Sequence, residues 1–458
     1  MERKRIYLCL AHMSEAGMEQ KYIKEAFDTN WVVPLGPNVN AFEEDLRQFS
    51  IHNSQGTIIP GLENKRVVAL SSGTAAVHLG LLAAGVKAGD EVIVQSFTFC
   101  ASTHPITYLG ATPILVDSEP DTWNIDPVLM EEAIKDRIAK TGKKPAAIVP
   151  VALYGMPYKA DRIMEIANRY EIPVIEDAAE GLGSRYKGQV LGTFGKYGVL
   201  SFNGNKMITT SGGGALITEN EDEWREIMMY ATQYRESYPY YQHEKIGYNY
   251  RMSNICAGIG RGQMTVLDQH LKHHKHVQAL YEELLKDVKG IHVHSQPSRI
   301  GELENNVYDS NYWLVTITID EDVKVKGQEN AYKTIVKGAV GGAAGVIHVA
   351  ESATTDCQPN ENVEALRVFM DAAGIEARPL WKPMHCQPVY RAPLNEELRI
   401  KNEELPNGVI CQTSGSSVAY VNGVSEALFK VGMCLPAGPY VTDDDVRYIV
   451  ETIKDAIV

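Results

Sequence analysis

The stretch SFNGNKMITTSGGG, residues 201–214, sets one lysine, Lys206, in an apolar turn rich in glycine, with no acidic residue beside it in sequence. A lysine kept for solubility belongs on a charged helix face, so this one is a candidate for covalent chemistry with an aldehyde. Upstream, the apolar run IPVIED ends in Asp177, a carboxylate that could hold a ring nitrogen protonated. Further upstream, ALSSGTAAVHLGLLAAG turns from a strand through Ser72, Gly73 and Thr74 into an apolar-periodic helix. The free N–H groups at such a helix start bind phosphate without any basic side chain. Ser201, five residues before the lysine, is placed to reach the same phosphate, and Phe99, in SFTF, could lie flat against an aromatic ring. A Schiff-base lysine, a carboxylate for a pyridinium nitrogen and an anion cradle are together what pyridoxal phosphate requires. Taken singly, SSGT is an ordinary helix cap, Phe99 a core residue and Asp177 a cap for the next helix. The information lies in their joint order and spacing.

The elements that must position these residues alternate along the chain. From about residue 66 to 218, β-rich runs (RVVALSS, EVIVQSF, TPILVD, AAIVPVA, PVIEDAA, YGVLSF, GALIT) alternate with helical stretches such as TAAVHLGLLAAG and KADRIMEIANRY. That alternation predicts an α/β fold with a largely parallel sheet and helices on its faces. Several runs end in polar residues: Ser71 and Ser72, Ser96, Asp117, Glu176 and Asp177, Ser201. In open α/β sheets the ligand crevice lies beyond the carboxyl ends of the strands, so these residues point to one site. Strand patterns at IHVHSQ and YWLVTITID, with amphipathic helices at NVEALRVFMDAAG and TDDDVRYIVETIKDAIV, predict a smaller α+β domain. The expected division is an N-terminal segment at 1–30, a large domain at 31–265 and a small C-terminal domain at 266–458, with an insertion at about 322–361.

Bulk properties narrow the function classes. A chain of 458 residues is long enough for two or three domains. Its 44 basic and 58 acidic side chains give a net charge of -14, which argues against non-specific binding to nucleic acid. The apolar run after MERKR is too short for a signal-peptide core, and no run approaches the length that spans a bilayer, so a cytoplasmic protein that does not enter a membrane is expected. Seven scattered cysteines, none in a CxxC pair, fit reduced thiols; no metal is expected.

Read together, GPNVNAFEEDL, SSGTAAVHLGL, SFTFCAS, IEDAAEGLGSRYKG, SFNGNKMITTSGGG, GYNYRMSNICAGIG, RPLWKPMHCQPVY and CLPAG resemble the nucleotide-sugar aminotransferases of the DegT and StrS group, within the fold-type I pyridoxal phosphate enzymes. The likeness runs nearly end to end. It implies a mostly parallel seven-stranded sheet between helices, with Lys206 as the cofactor-bearing lysine and proton shuttle, and Asp177 on the pyridinium nitrogen. It also implies phosphate contacts from Gly73, Thr74, Ala75 and Ser201, and Phe99 on the ring. Asn249 matches an asparagine that reaches the phosphate of a neighbouring subunit, which implies a homodimer with shared sites. Where many relatives carry glutamine, near the cofactor's ring hydroxyl, this chain has Glu180, which must be protonated, re-aimed or paired.

The resemblance further implies ping-pong transfer from an amino acid, with glutamate expected, to a nucleotide-linked keto-sugar for capsule, lipopolysaccharide or glycan synthesis. The nearest likeness is to enzymes that aminate C4 of UDP-linked 4-keto-6-deoxy-N-acetylhexosamines. Alternatives are a dTDP-keto-sugar 3- or 4-aminotransferase, or a regulator that binds the cofactor without turnover. Arg378 and His385 either contact the nucleotide-sugar or brace the domain interface. The 322–361 insertion, whose GAVGGAAG lacks the order of a nucleotide loop, is expected to have a packing role. His270 and His274, one helical turn apart among lysines, are expected on a solvated helix face rather than on a metal.

Overall fold

The computed structural model describes residues 4–297, 307–332, 357–391, 401–405 and 409–458. The expected β-rich runs form seven strands: β1 (Arg66–Leu70), β2 (Glu91–Gln95), β3 (Thr112–Val116), β4 (Ala147–Val149), β5 (Ile175–Asp177), β6 (Tyr197–Ser201) and β7 (Gly214–Thr218). Their order across the sheet is β1-β7-β6-β5-β4-β2-β3, with β5 and β4 joined by the parallel bridges Ile148–Val174 and Val151–Asp177. Only β7 runs against its neighbours. This is the mixed α/β, mostly parallel architecture expected from the sequence.

Parallel strands covered on both faces are apolar on both faces, and alternate residues of each strand here enter separate cores. Val67, Ala69, Ile93 and Ile148 pack with Val39, Phe42 and Leu46 of the helix Pro37–Ile51. Val68, Leu70, Val92 and Val94 pack with Ala76, Val77 and Leu79 of the helix Gly73–Ala83. The sheet does not stop at β3. Residues Val418–Val421 pair with β3 in parallel, and Ile410–Thr413 and Lys401–Glu404 follow antiparallel. Residue 265 therefore divides the sequence but not the sheets: Asp117, at the end of β3, accepts the N–H groups of Asn422, Gly423 and Ser425 and holds the returning chain.

A second, antiparallel sheet orders Ile291–Val293, Val315–Ile319, Gly432–Leu435 and Arg378–Pro379. Its core is shared with the helices Leu267–Leu285, Glu361–Ala372 and Asp443–Ala456, as the α+β expectation requires. The N-terminal segment ties to both parts. Ile6 bridges Ile375, and the helix Met18–Asp28 packs so closely on Asn254–Met264 that a Cβ at Gly262 would lie 2.5 Å from Glu19 N. Most of the 322–361 stretch, GAVGGAAG included, lies outside the described residues. Among the described residues no helix is long and apolar enough to cross a membrane.

The two acids that close β5 face opposite ways, as successive strand residues must. Asp177 faces the crevice, while Glu176 is fully enclosed and accepts a hydrogen bond from the Tyr158 hydroxyl. Burial pushes the Glu176 carboxyl up to about 8. A carboxyl raised in this way supports the fold fully below its unfolded value and loses that contribution as pH rises through about 8. Glu176→Gln should therefore gain in stability relative to the native chain as pH rises from about 4.5 to 8, read as urea midpoints across that range. A pH-independent difference contradicts this.

Candidate active site

The carboxyl ends of β1, β5 and β6 open on one cavity of about 440 Å³. Ser71, Ser72, Gly73, Thr74, Phe99, Asp177, Glu180, Ser201 and Lys206 all line it. Lys206 and Asp177, distant in sequence, thus share a chamber, and the lysine's charge acts on the Asp177 carboxyl.

The cradle is built at the first turn of the helix Gly73–Ala83. Ser72 is its N-cap, accepting the Ala75 N–H at 3.0 Å. Ala75 is therefore engaged with Ser72, is buried, and does not line the cavity. The end of β7 presses on this turn: a Cβ at Gly214 would stand 2.4 Å from Gly73 N, and one at Gly73 would stand 2.9 Å from Ser201 Cβ. Only glycine permits that approach, which brings Ser201 against the helix start.

Asp177 is buried and receives two donors. Ser102 Oγ donates to Oδ2 at 2.6 Å, and the Ala179 N–H donates to Oδ1 at 3.1 Å. Burial raises its pKa, opposed by these two hydrogen bonds and by Lys206. Glu180 is also buried. Its Oε2 accepts the Tyr154 N–H at 2.7 Å and its Oε1 lies 3.3 Å from Lys206 Nζ, so this acid is paired. Burial raises the Glu180 pKa too; the lysine charge and the Tyr154 N–H oppose the shift, and Asp177 adds to it.

Lys206 sits on the twelve-residue connection between β6 and β7, and remote elements fix that connection. Phe202 N–H donates to Gly213 O and Thr210 N–H to Phe202 O, each at 2.9 Å, closing its base. Ala11 N–H reaches Gly204 O at 3.0 Å, Trp313 Nε1 donates to Asn205 O at 2.6 Å, and His270 Nδ1 lies 3.2 Å from Met207 O. The Trp313 ring itself covers the lysine, with Nζ 3.9 Å from its centroid, a separation at which a ring face attracts a cation.

One expectation needs correcting. His270 and His274 are not on a solvated face: both are buried, each bonded to a main-chain carbonyl, His274 to Tyr312 O at 3.0 Å. Burial holds the His274 imidazole down to about 3, so it is neutral. Their carbonyl partners adjoin Lys206 and Trp313, so the helix Leu267–Leu285 backs the site. Arg378 and His385 do not line the cavity. Arg378 pairs with Glu376 at 2.7 Å, and His385 is buried between Ser96 Oγ, 2.6 Å from Nδ1, and Glu426 Oε1, 3.1 Å from Nε2. Asn249 is exposed and outside its own chain's cavity. Ser102, Trp313 and Trp381 went unread. Ser102 stands within the quoted SFTFCAS, but its contact with Asp177 is made only in three dimensions. A second cavity, of about 370 Å³, shares Thr98, Phe99 and Trp381 with the first and adds Lys382, His104 and Gln387.

Residues 14–341 match the model of the DegT/DnrJ/EryC1/StrS aminotransferase family. The chain is 38% identical over 450 residues to EpsN of Bacillus subtilis (strain 168), covering 98% of this chain and 95% of that one. It is 30% identical over 449 residues to the GDP-perosamine synthase of Escherichia coli O157:H7, covering 98% of each. Among solved structures, a DegT DnrJ EryC1 StrS aminotransferase from Brucella abortus superposes with a TM-score of 0.74 at 23% identity, over 96% of this chain and 95% of that one.

Ser102→Ala removes one of the two hydrogen bonds that oppose burial at Asp177, so the carboxyl pKa should rise further. A hydrogen bond to a charged group contributes about 1.5–3 kcal/mol, so affinity for pyridoxal phosphate should fall about tenfold or more. The acidic limb of its pH dependence should move upward. Unchanged affinity and an unmoved limb in equilibrium titrations contradict this.

Proposed function

The chain belongs to the DegT/DnrJ/EryC1/StrS aminotransferase family, whose members are pyridoxal phosphate-dependent sugar aminotransferases, and from that premise we propose that it transfers an amino group from L-glutamate to the 4-keto group of a UDP-linked 4-keto-6-deoxy-N-acetylhexosamine. The observation that supports catalysis is the shared cavity of Lys206, Asp177 and the Gly73 helix start.

These residues fit the cofactor. Gly73 and Gly214 keep the cradle free of Cβ atoms, and Asp177 is a buried carboxyl with no ion pair among the described residues, which suits a cationic ring. Gly73, Thr74 and Ser201 would hold the phosphate, Phe99 would stack on the ring, and Asp177 would face its nitrogen. When bound, the cofactor supplies an electron sink and a temporary carrier for the amino group.

In this reading Lys206 Nζ moves the donor's α-proton, and it is the only basic side chain among the residues lining the cavity. Glu180 Oε1 and the Trp313 face hold that amine while it is charged. Trp313, Trp381 and Phe99 form apolar walls that limit water and strengthen these electrostatic contacts. The adjoining cavity, with Lys382 at its wall, suits the diphosphate of a nucleotide-sugar. Asn249, exposed and outside its own cavity, suits a homodimer in which it serves the second copy's phosphate. A GDP-linked sugar is the second reading, favoured by the 30% identity to a GDP-perosamine synthase over nearly the whole chain.

Lys206→Ala should lower turnover by about 100- to 10,000-fold, the usual contribution of a positioned proton-transfer group, and abolish the long-wavelength absorbance of the loaded enzyme; full activity contradicts the assignment. A panel of UDP-, GDP- and dTDP-linked keto-sugars, with product configuration read by NMR, should give the highest kcat/KM with the UDP-linked 4-keto-N-acetylhexosamine. A higher value with a GDP- or dTDP-linked sugar would replace the acceptor proposed here.

A further inference from the structure

Away from the cavity, three donors that are far apart in sequence converge. Cys357 precedes the helix Glu361–Ala372, Cys386 ends the turn Met384–Cys386, and Glu426 lies in the first turn of the helix Val424–Val431. The two Sγ atoms and a Glu426 carboxylate oxygen all lie within 4.8 Å of one another. Both cysteines are buried, 4% and 2% exposed, and form a small cluster of their own with Phe429.

The carboxylate is oriented from behind. His385 Nε2 lies 3.1 Å from Glu426 Oε1, and the ring is fixed in turn by Ser96 Oγ, 2.6 Å from Nδ1. Glu426 Oε2 has no hydrogen-bond partner among the described residues. A carboxylate held by an imidazole, with one oxygen within 4.8 Å of two thiols, is the outer-and-inner arrangement that metal ligands require.

From this geometry we infer that Cys357, Cys386 and Glu426 form a binding site for a thiophilic divalent cation of the zinc class, with water as the fourth ligand. Zinc at about 2.3 Å from sulfur and about 2.0 Å from oxygen needs its donors about 3.5–3.8 Å apart in a tetrahedron. The three donors of the chain lie within 4.8 Å of one another, so an ion would draw them together by at most a short distance. Thiolate donors select zinc over magnesium or calcium, which prefer all-oxygen shells. Bound metal would pin the chain at Cys357 and the helix carrying Glu426 to the turn that follows Trp381 and Lys382, behind the wall of the second cavity.

The test uses the full chain without an affinity tag, stripped with a chelator, re-equilibrated with zinc sulfate and desalted. Elemental analysis should find about one zinc per chain, and zinc should raise the melting temperature. Cys357→Ser and Cys386→Ser should each lose the ion. Glu426→Gln, which keeps an oxygen for His385 and spares the buried thiols, should bind zinc about tenfold or more weakly and lose the zinc-dependent rise in melting temperature. No retained zinc in the native chain, or undiminished zinc affinity in Glu426→Gln, overturns the proposal. So does a Cys357–Cys386 disulfide found by mass spectrometry in freshly isolated protein.

Discussion

A carboxyl group enclosed at the end of a central strand resists ionisation unless donors and positive charge are brought to it. Asp177 is in that position, and the surrounding structure supplies what it lacks: the Ser102 hydroxyl on one oxygen, the Ala179 N–H on the other, and the Lys206 charge across the cavity. The same burial acts on Glu180, which is steadied by Tyr154 N–H and Lys206 Nζ. Two buried acids and one amine therefore make a charge-coupled set whose balance a cationic ring would complete. Glu176, one residue away on the opposite face, has no such role and is protonated toward neutrality by its burial.

Holding the amine in place takes elements from the whole chain. The connection that carries Lys206 is tied by Ala11 from the N-terminal segment, by His270 from the helix Leu267–Leu285 and by Trp313 from the bend that leads into the strand Val315–Ile319. The site lies at a seam between the two sheets, with the parallel sheet giving the acid and the phosphate cradle, and the rest of the chain giving the cover. On the parallel-sheet side, glycines at 73 and 214 let β7 approach the helix start to backbone contact.

How much of this was legible in the sequence follows from which contacts are local. The parallel sheet and its polar strand ends could be read because β-branched runs and helical periodicity repeat on a short scale. Lys206, Asp177, Thr74 and Ser201 could be read because each closes a strand or lies within five residues after one. Ser102, Trp313 and the two buried histidines could not, since their partners are carbonyls or carboxylates that only the folded chain brings near. Lysines interleaved with His270 and His274 gave the helix a polar appearance, yet the helix keeps one face inside, and that face carries the histidines. Arg378 and His385 were read from a motif, and their side chains are spent on Glu376, Ser96 and Glu426. The strand Val418–Val421 belongs to the sheet of the opposite end of the sequence, a long-range parallel pairing that no local pattern announces.

The central claim is that one amine, Lys206 Nζ, carries the cofactor opposite Asp177. The most direct measurement is peptide mapping of the loaded enzyme after borohydride reduction, with the modified lysine located by tandem mass spectrometry. The account predicts a single phosphopyridoxyl group on Lys206. A label on another lysine, such as Lys382 in the adjoining cavity, with Lys206 unmodified, would contradict it.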